Sequence, residues 1–460
     1  MIAVIGGGLT GLALSRELDL RGLDHVVLEA SERPGGIVRS GEVAGRILEW
    51  GPQRTRLTPG LRSLAEELGI GDELIAAEPG LPLFVFARGR LRRLPASARE
   101  FLTSDALGPA ARLRAALEPL TAGLRDGETA GDFLIRKFGR TAYQDVLGPL
   151  YGGLYASKPT AMPARFALAR TLAELGIDRS VMLWLLCRGG EGFPPACSFR
   201  RGMQTLTDAL ARRAGTRLAL GEPAGSIRRE DGGFVVSSAG GPVRCTDVVM
   251  TAPADVAAEM IAPLDADMAA RLDGLAYNPL AIVHLLEEGG DEAASGTATA
   301  GASTAPAGPE WAAAAGAAEP RRPRRRRDEL RGLGYQVSFR ESLATRGVTW
   351  NDSLFPGAGR DGLYTAYLGG AISPKVVDLP DDRLGALASD EFAAVTGLAA
   401  KPIAVARTRM PAWDHSWSLL DGLRFPPGLH VCANWETRPG VPGRLAAARR
   451  VAARLAREEE

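Results

Sequence analysis

The run Gly6-Gly7-Gly8-Leu9-Thr10-Gly11 stands between an apolar stretch, Ile2 to Ile5, and a helical stretch, Leu12 to Leu20. Glycines so spaced let a chain turn tightly after a buried parallel strand, approach a diphosphate closely and pack a helix against the strand. The helix start favours phosphate, because its unpaired N–H groups and its dipole both attract negative charge. A second apolar run, His25-Val26-Val27-Leu28, closes on Glu29 and Ala30. Glu29 falls near the spacing at which a carboxylate grips both hydroxyls of a ribose. An acid there disfavours a 2′-phosphate and argues against NADP. Beyond it, Arg33-Pro34-Gly35-Gly36 and Arg39 bring a second glycine turn and two cations toward the same ligand, which favours FAD over NAD.

Positioning these residues takes more than one lobe. At 460 residues the chain exceeds what one hydrophobic core supports, so two or three domains are expected. The opening strand and helix predict an α/β domain. Helical spacing follows over Leu61 to Ile75, ended by Gly69 and Gly71, and a strand-turn-strand pattern runs from Leu83 to Leu94 around Arg88-Gly89. From Ala96 to about Ser198 the pattern is mostly helical, broken by Pro109, Pro119, Pro149, Pro159 and Pro163. Strand patterns then return at Arg217 to Leu220, in a hairpin from Phe234-Ser237 to Pro242-Cys245, at Val248 to Pro253 and at Leu429 to Ala433, before a last alanine-rich helix, Gly443 to Glu459. Strands that return so late imply that the nucleotide domain is discontinuous.

The 55 basic and 54 acidic side chains leave a net charge of +1, which gives no reason to expect nucleic acid. Glu287 to Pro323 is low in complexity and has almost nothing to bury, so a disordered surface loop is expected. The arginine run Arg321 to Arg327 reads as solvated charge, since no aromatic residues interleave it. Cys187, Cys197, Cys245 and Cys432 show neither a C-x-x-C pair nor metal spacing with histidine, and buried or partly buried thiols with no metal are expected. The chain opens on its first strand, so no signal or transit peptide is expected. The strongest apolar stretch in a helical region, Val181 to Cys187, is far short of a bilayer span. The expected location is therefore cytoplasmic.

Several longer stretches carry a resemblance: Glu49-Trp50-Gly51-Pro52-Gln53-Arg54, the Phe84 to Pro95 hairpin, Asp132 to Gly139, Pro149 to Ala156, Gly202 to Leu206, Asp352 to Pro356 and Gly369-Gly370. With the nucleotide motif they make the chain resemble the protoporphyrinogen oxidase family of FAD enzymes, within the amine-oxidase-like group, almost end to end. The resemblance implies an α/β, multidomain fold in three parts. A Rossmann-like FAD domain would comprise 1–79, 200–262 and 425–460. A mixed-sheet substrate domain would comprise 80–95 and 263–424, with 287–327 as a disordered insert. A helical domain, 96–199, would lie against a membrane surface as a peripheral contact. The implied reaction is oxidation of a porphyrinogen, protoporphyrinogen IX or coproporphyrinogen III, to the porphyrin, with hydride passing to FAD and molecular oxygen reduced to hydrogen peroxide. The cofactor supplies the redox chemistry, so no catalytic acid or base is required.

Carried over, the FAD contacts would be Gly6, Gly7, Gly8, Leu9, Thr10 and Gly11 around the diphosphate, Glu29 and Ala30 at the ribose, and Gly36 and Arg39 in the second glycine segment. Gly51, Pro52, Gln53 and Arg54 would lie near the isoalloxazine, Ala224 on the adenine side and Val441 at the flavin-side helix start. Leu83 stands where relatives carry an arginine able to pair with a propionate, so that anchor is either missing or supplied by Arg88, Arg90, Arg92 or Arg93. Arg201-Gly202 replaces a glycine pair, and Ala433 to Gly443 is longer and richer in proline than the family segment. Trp350, Phe355, Tyr364 and Tyr367 can wall a pocket for a flat macrocycle or simply pack a sheet. His415 is the candidate among the histidines for a place near the flavin. The alternatives are an amine oxidase or carotenoid-type desaturase of the same fold, and a flavin-binding paralogue without catalysis. A monomer and a homodimer both fit.

Overall fold

The computed structural model describes residues 1–95, 98–187, 194–288, 330–436 and 440–459. The expected insert therefore lies, from residue 289 on, outside the described residues, as does the arginine run. Glu287 instead closes a long strand, Tyr277–Glu287.

A five-stranded parallel sheet forms around the first strand, β1 (Ile2–Ile5), every residue of which is buried. Its neighbours are β2 (His25–Leu28) on one side and the strand Asp247–Met250 on the other, with Leu218–Ala219 and Leu429–Val431 at the edges. Strands covered on both faces read as continuous apolar runs, as β1 does. Helix α1 (Leu9–Asp19) buries Leu12, Ala13, Leu14 and Leu18, and packs between the helix Gln204–Ala214 and the C-terminal helix Val441–Glu459. A small antiparallel sheet, Ala224–Glu230, Gly233–Ser238 and Val243–Cys245, stands beside this layer.

A seven-stranded mixed sheet forms the second body, in the order Ala400–Pro411, Tyr277–Glu287, Leu363–Gly369, Thr345–Trp350, Gly334–Val337, Leu83–Ala87 and Arg90–Arg93. The hairpin at its end joins through a parallel pairing of Leu83–Phe86 with Gly334–Val337. Its back face buries Tyr364, Ala366, Leu368, Val348 and Trp350 against Leu384, Ala388 and Phe392 of the helix Asp381–Thr396. Alternation along the strands puts Thr349, Thr365, Tyr367 and His284 on the front face. Between the bodies' sequence segments lie short helices, including Pro109–Ala116, Ala130–Phe138, Gly148–Gly153, Leu168–Glu174 and Val181–Cys187. No helix among the described residues is long and apolar enough to cross a membrane.

Two expectations are corrected. The helix over Leu61 to Ile75 is Pro59–Glu67 only: Gly69 turns at φ +68°, and Leu74–Ala76 pairs as a strand with Cys197–Phe199. Apolar spacing continues past the turn, but there it serves an edge strand. Cys187 is exposed at the end of its helix, whereas Cys197, Cys245 and Cys432 are buried.

Candidate cofactor and substrate site

The turn after β1 is built so that nothing but backbone fits. Gly6 sits at φ +107°, and a Cβ there would lie 2.7 Å from Thr251 Oγ1. Thr251 donates to Ile5 O at 2.7 Å, so the adjoining strand clamps the turn. At Gly11 a Cβ would lie 1.9 Å from Gly6 O, so α1 rests directly on the end of β1. Gly8 is the N-cap of α1, with no side-chain cap and no acidic residue in the first turn. The leading N–H groups thus keep their capacity for an anion. Leu9 is buried with Val441, the first residue of the C-terminal helix, and Thr10 is half-buried. The second glycine turn abuts the first: Gly35 N donates to Gly7 O at 2.8 Å, and a Cβ on Gly36 would lie 3.3 Å from Gly8 Cα.

Glu29 closes β2 half-buried. Its Oε2 accepts from Gly7 N at 2.7 Å, and its Oε1 accepts from Ser31 N at 2.9 Å and Ser31 Oγ at 2.6 Å. A carboxylate has about four acceptor sites, so one remains for a ribose hydroxyl. Ala30 is exposed. Gly221 N donates to Ser31 O at 3.0 Å and Glu222 N to Glu29 O at 2.9 Å, which brings Ala224, the start of its strand, alongside this acid. Arg33 is committed to the loop itself, donating to Gly36 O at 2.7 Å and Pro34 O at 3.2 Å. The exposed Arg39 guanidinium lies 5.1 Å from the Trp50 ring centre.

The segment Gly51 to Arg54 continues this surface onto the front face of the large sheet. A Cβ on Gly51 would lie 1.9 Å from Ile37 O, and Trp50 N donates to Arg39 O at 2.9 Å. Ile37 is 68% exposed beside the glycine turn, an apolar side chain left uncovered. Pro52 is half-buried. Gln53 donates to Glu49 O at 2.9 Å and accepts from Asn351 Nδ2 at 2.9 Å and Thr365 Oγ1 at 3.1 Å. Thr365 also lies 3.1 Å from His284 Nδ1. Burial pushes His284 down to about 4, so its ring is neutral, and it meets Trp50 edge to face at 6.5 Å. Glu49 is buried behind the segment; Met203 N donates to it at 2.8 Å, Arg360 lies 3.5 Å away and Ser40 Oγ donates to its other oxygen. Burial, which outweighs those donors, pushes its carboxyl up to about 7. Sequence spacing gives no sign of this polar network: its members lie far apart in the chain, and only Glu49, Trp50, Gln53 and Met203 fall in the stretches that carry the resemblance.

The substrate candidates are placed less favourably. Leu83 is half-buried in its strand. Arg88 donates to Asp105 O and Ala106 O and lies 4.0 Å from Asp145, while Arg92 pairs with Asp105 at 2.6 Å, so both brace the hairpin. Phe355 is 2% exposed, packed with Leu354, Ala77 and Ala196 and faced by the Arg360 guanidinium. Trp350 and Tyr364 belong to the back-face core; Tyr367 is the one of the four aromatics on the front face. His415 is exposed at the start of a 3-10 turn, His415–Leu420, with no hydrogen bond or ion pair among the described residues.

The residues present fit a dinucleotide: a floor that side chains would fill, an open helix start, an acid at the tip of β2 and an uncovered isoleucine for an aromatic ring. A family model for the flavin containing amine oxidoreductases matches residues 9–455. The chain is 27% identical over 417 residues to the chloroplastic protoporphyrinogen oxidase of Oryza sativa subsp. japonica, covering 83% of this chain and 72% of that one. It is 22% identical over 447 residues to the coproporphyrinogen III oxidase of Bacillus subtilis (strain 168), covering 90% of this chain and 86% of that one. A candidate protoporphyrinogen oxidase from Exiguobacterium sp. 255-15 shares the fold, with a TM-score of 0.74 at 20% identity over 99% of this chain and 98% of its own.

Proposed function

This chain belongs to the flavin containing amine oxidoreductase family, and from that premise we propose that it is an FAD-dependent oxidase of a porphyrinogen. The observation that carries the reading is the match to porphyrinogen oxidases over 83% and 90% of the chain. When bound, FAD accepts a hydride from the substrate and passes the electrons to molecular oxygen, releasing hydrogen peroxide.

The chain's own residues hold and shield that chemistry. In this reading Gly6, Gly8 and Gly11 take the diphosphate on the α1 start, Glu29 binds the ribose, Ala224 flanks the adenine, and the Gly51 to Arg54 backbone lies against the ring system. The front face of the large sheet, with Tyr367, walls the substrate space, and Thr365 is buried beneath it. The three-part division into 1–79 with 200–262 and 425–460, 80–95 with 263–424, and 96–199 follows from the same reading. A peripheral membrane contact of the helical part is supported by its exposed Leu113, Leu120, Leu183, Leu185 and Leu186.

The test is aerobic incubation of the yellow, FAD-loaded protein with protoporphyrinogen IX and, separately, coproporphyrinogen III. Porphyrin fluorescence with release of peroxide is expected; bound FAD without turnover of either compound overturns the proposal. The ratio of the two rates assigns the substrate.

A further inference from the structure

Arg54 ends the cofactor segment as a half-buried cation. Among the described residues it makes one hydrogen bond, from Nη1 to Thr349 Oγ1 at 3.4 Å, close to the outer limit of such bonds. No carboxylate of the described residues lies within ion-pair distance of it. The charged group acting on it is a like one, Arg56, whose own guanidinium donates to Pro194 O at 3.0 Å. Three other enclosed cations each have a carboxyl partner: Lys137 has Glu118 at 2.7 Å, Arg136 has Glu128 at 2.7 Å and Arg360 has Glu49 at 3.5 Å.

Withdrawing a guanidinium from water is costly unless its five donors and its charge are met. Arg54 has neither condition satisfied within the fold, and burial draws its pKa below the ordinary value. Its immediate neighbours are hydroxyls, those of Thr349 and Tyr367, side by side on the front face of the sheet. Gly347 pairs with Tyr367 across the strands, and the Gln336 amide lies over it, its Nε2 2.8 Å from where a Cβ would stand, so the neighbourhood is polar. A planar fork of donors flanked by two hydroxyls matches a carboxylate, which takes two parallel N–H bonds and further donors on its outer lone pairs. The diphosphate cradle is occupied by other residues, Gly6 to Gly11 and Gly36, and Arg54 is bonded instead to the sheet.

We propose that Arg54, assisted by Thr349 and Tyr367, binds a carboxylate of the substrate, which makes it the charge that selects an acidic substrate over a neutral one. The identity of that substrate as a porphyrinogen carboxylic acid rests on the function proposed above; the anion site rests on the geometry just described.

The experiment compares wild type with Arg54→Gln and Arg54→Lys, each FAD-loaded. The first readout is KM and kcat on protoporphyrinogen IX and on its dimethyl ester. In Arg54→Gln the acid-to-ester ratio of KM rises on the order of tenfold, and Arg54→Lys restores part of it. The second readout is the flavin absorbance on titration with benzoate, and with neutral benzamide as control. Benzoate perturbs the wild-type spectrum and loses that effect in Arg54→Gln, while benzamide behaves alike in both. Equal shifts for acid and ester, loss of FAD from both variants, or an undiminished benzoate response in Arg54→Gln overturns the assignment. Wild type that oxidises neither porphyrinogen overturns the parent function alone, and the benzoate arm then decides the anion site by itself.

Discussion

Glu29 has two duties. It fixes the glycine turn through Gly7 N and Ser31, and in the proposed complex it accepts from the ribose. Glu29→Gln loses the charge and one of the two acceptor oxygens, so FAD affinity measured by fluorescence quenching is expected to fall on the order of tenfold, and circular dichroism of the apo form reports separately on the turn. An unchanged affinity would remove the acid from the cofactor site. His284 offers a pH test at the same scale. Its folded value, lowered to about 4 from an ordinary 6.5, means that between those limits the unfolded chain binds a proton that the folded chain does not. Stability from the neutral ring is therefore complete above pH 6.5 and is lost as pH falls toward 4, by about 1.4 kcal/mol per unit. Glu49, raised from 4.5 to about 7, contributes the opposite slope over the same range, so the two nearly cancel in the wild type, and the His284→Asn urea midpoint should gain on the wild-type one as pH falls from 6.5 to 4.5. The glycines and Glu29 were legible in the sequence because turn, helix start and acid are local. His284 was not, since Thr365 reaches it only through strand pairing and Trp50 comes to it from a separate sheet's end.

At the scale of elements the helical segment depends on one buried ion pair. Glu118 and Lys137 are fully enclosed, 2.7 Å apart, and Glu118 also accepts from Ser180 Oγ, Val181 N and Met182 N, holding the start of the helix Val181–Cys187. Burial alone would raise the Glu118 pKa; Lys137, Ser180 and the Met182 N–H together bring it below the ordinary value. Glu118→Ala leaves Lys137 buried without its partner and should cost about 3 to 5 kcal/mol. Hydrogen exchange would show protection lost first at Val181–Cys187 and Ala130–Phe138, whereas Glu118→Leu with Lys137→Met should recover most of it. Equal stability of Glu118→Ala and wild type would sink this account. Composition announces helices in this region, but the pair itself is invisible along the chain, because Glu118 stands on a short 3-10 turn outside any long periodic pattern. Strand Ala224–Glu230 escaped notice for a related reason. Most of its side chains are exposed, so no apolar alternation marks it.

Over the whole molecule, the proposed cofactor site draws on Gly6 to Gly11, Gly36, Gly51, the stretch before Ala224 and the helix start at Val441, all joined by contacts rather than by sequence proximity. The α/β class and the late return of its strands could be read from apolar runs. The front face could not, because it is assembled from strands contributed by opposite ends of the chain. Such assembly has a thermodynamic consequence. A ligand that binds only the folded form stabilises every segment whose ordering its site requires, by RT ln(1 + [L]/Kd), or about 2.7 kcal/mol at a hundredfold excess over Kd. FAD should therefore raise the melting temperature of the apoprotein and slow amide exchange in Val441–Glu459 as well as in Leu9–Asp19, although the two helices lie at opposite ends of the chain. Leu9 and Val441 share one buried cluster, and α1 packs along the C-terminal helix, so that the diphosphate site cannot be ordered with either helix released. Protection gained in Leu9–Asp19 alone would mean that the site is a local loop, and that the distant strands and helix are scaffold for the substrate side only.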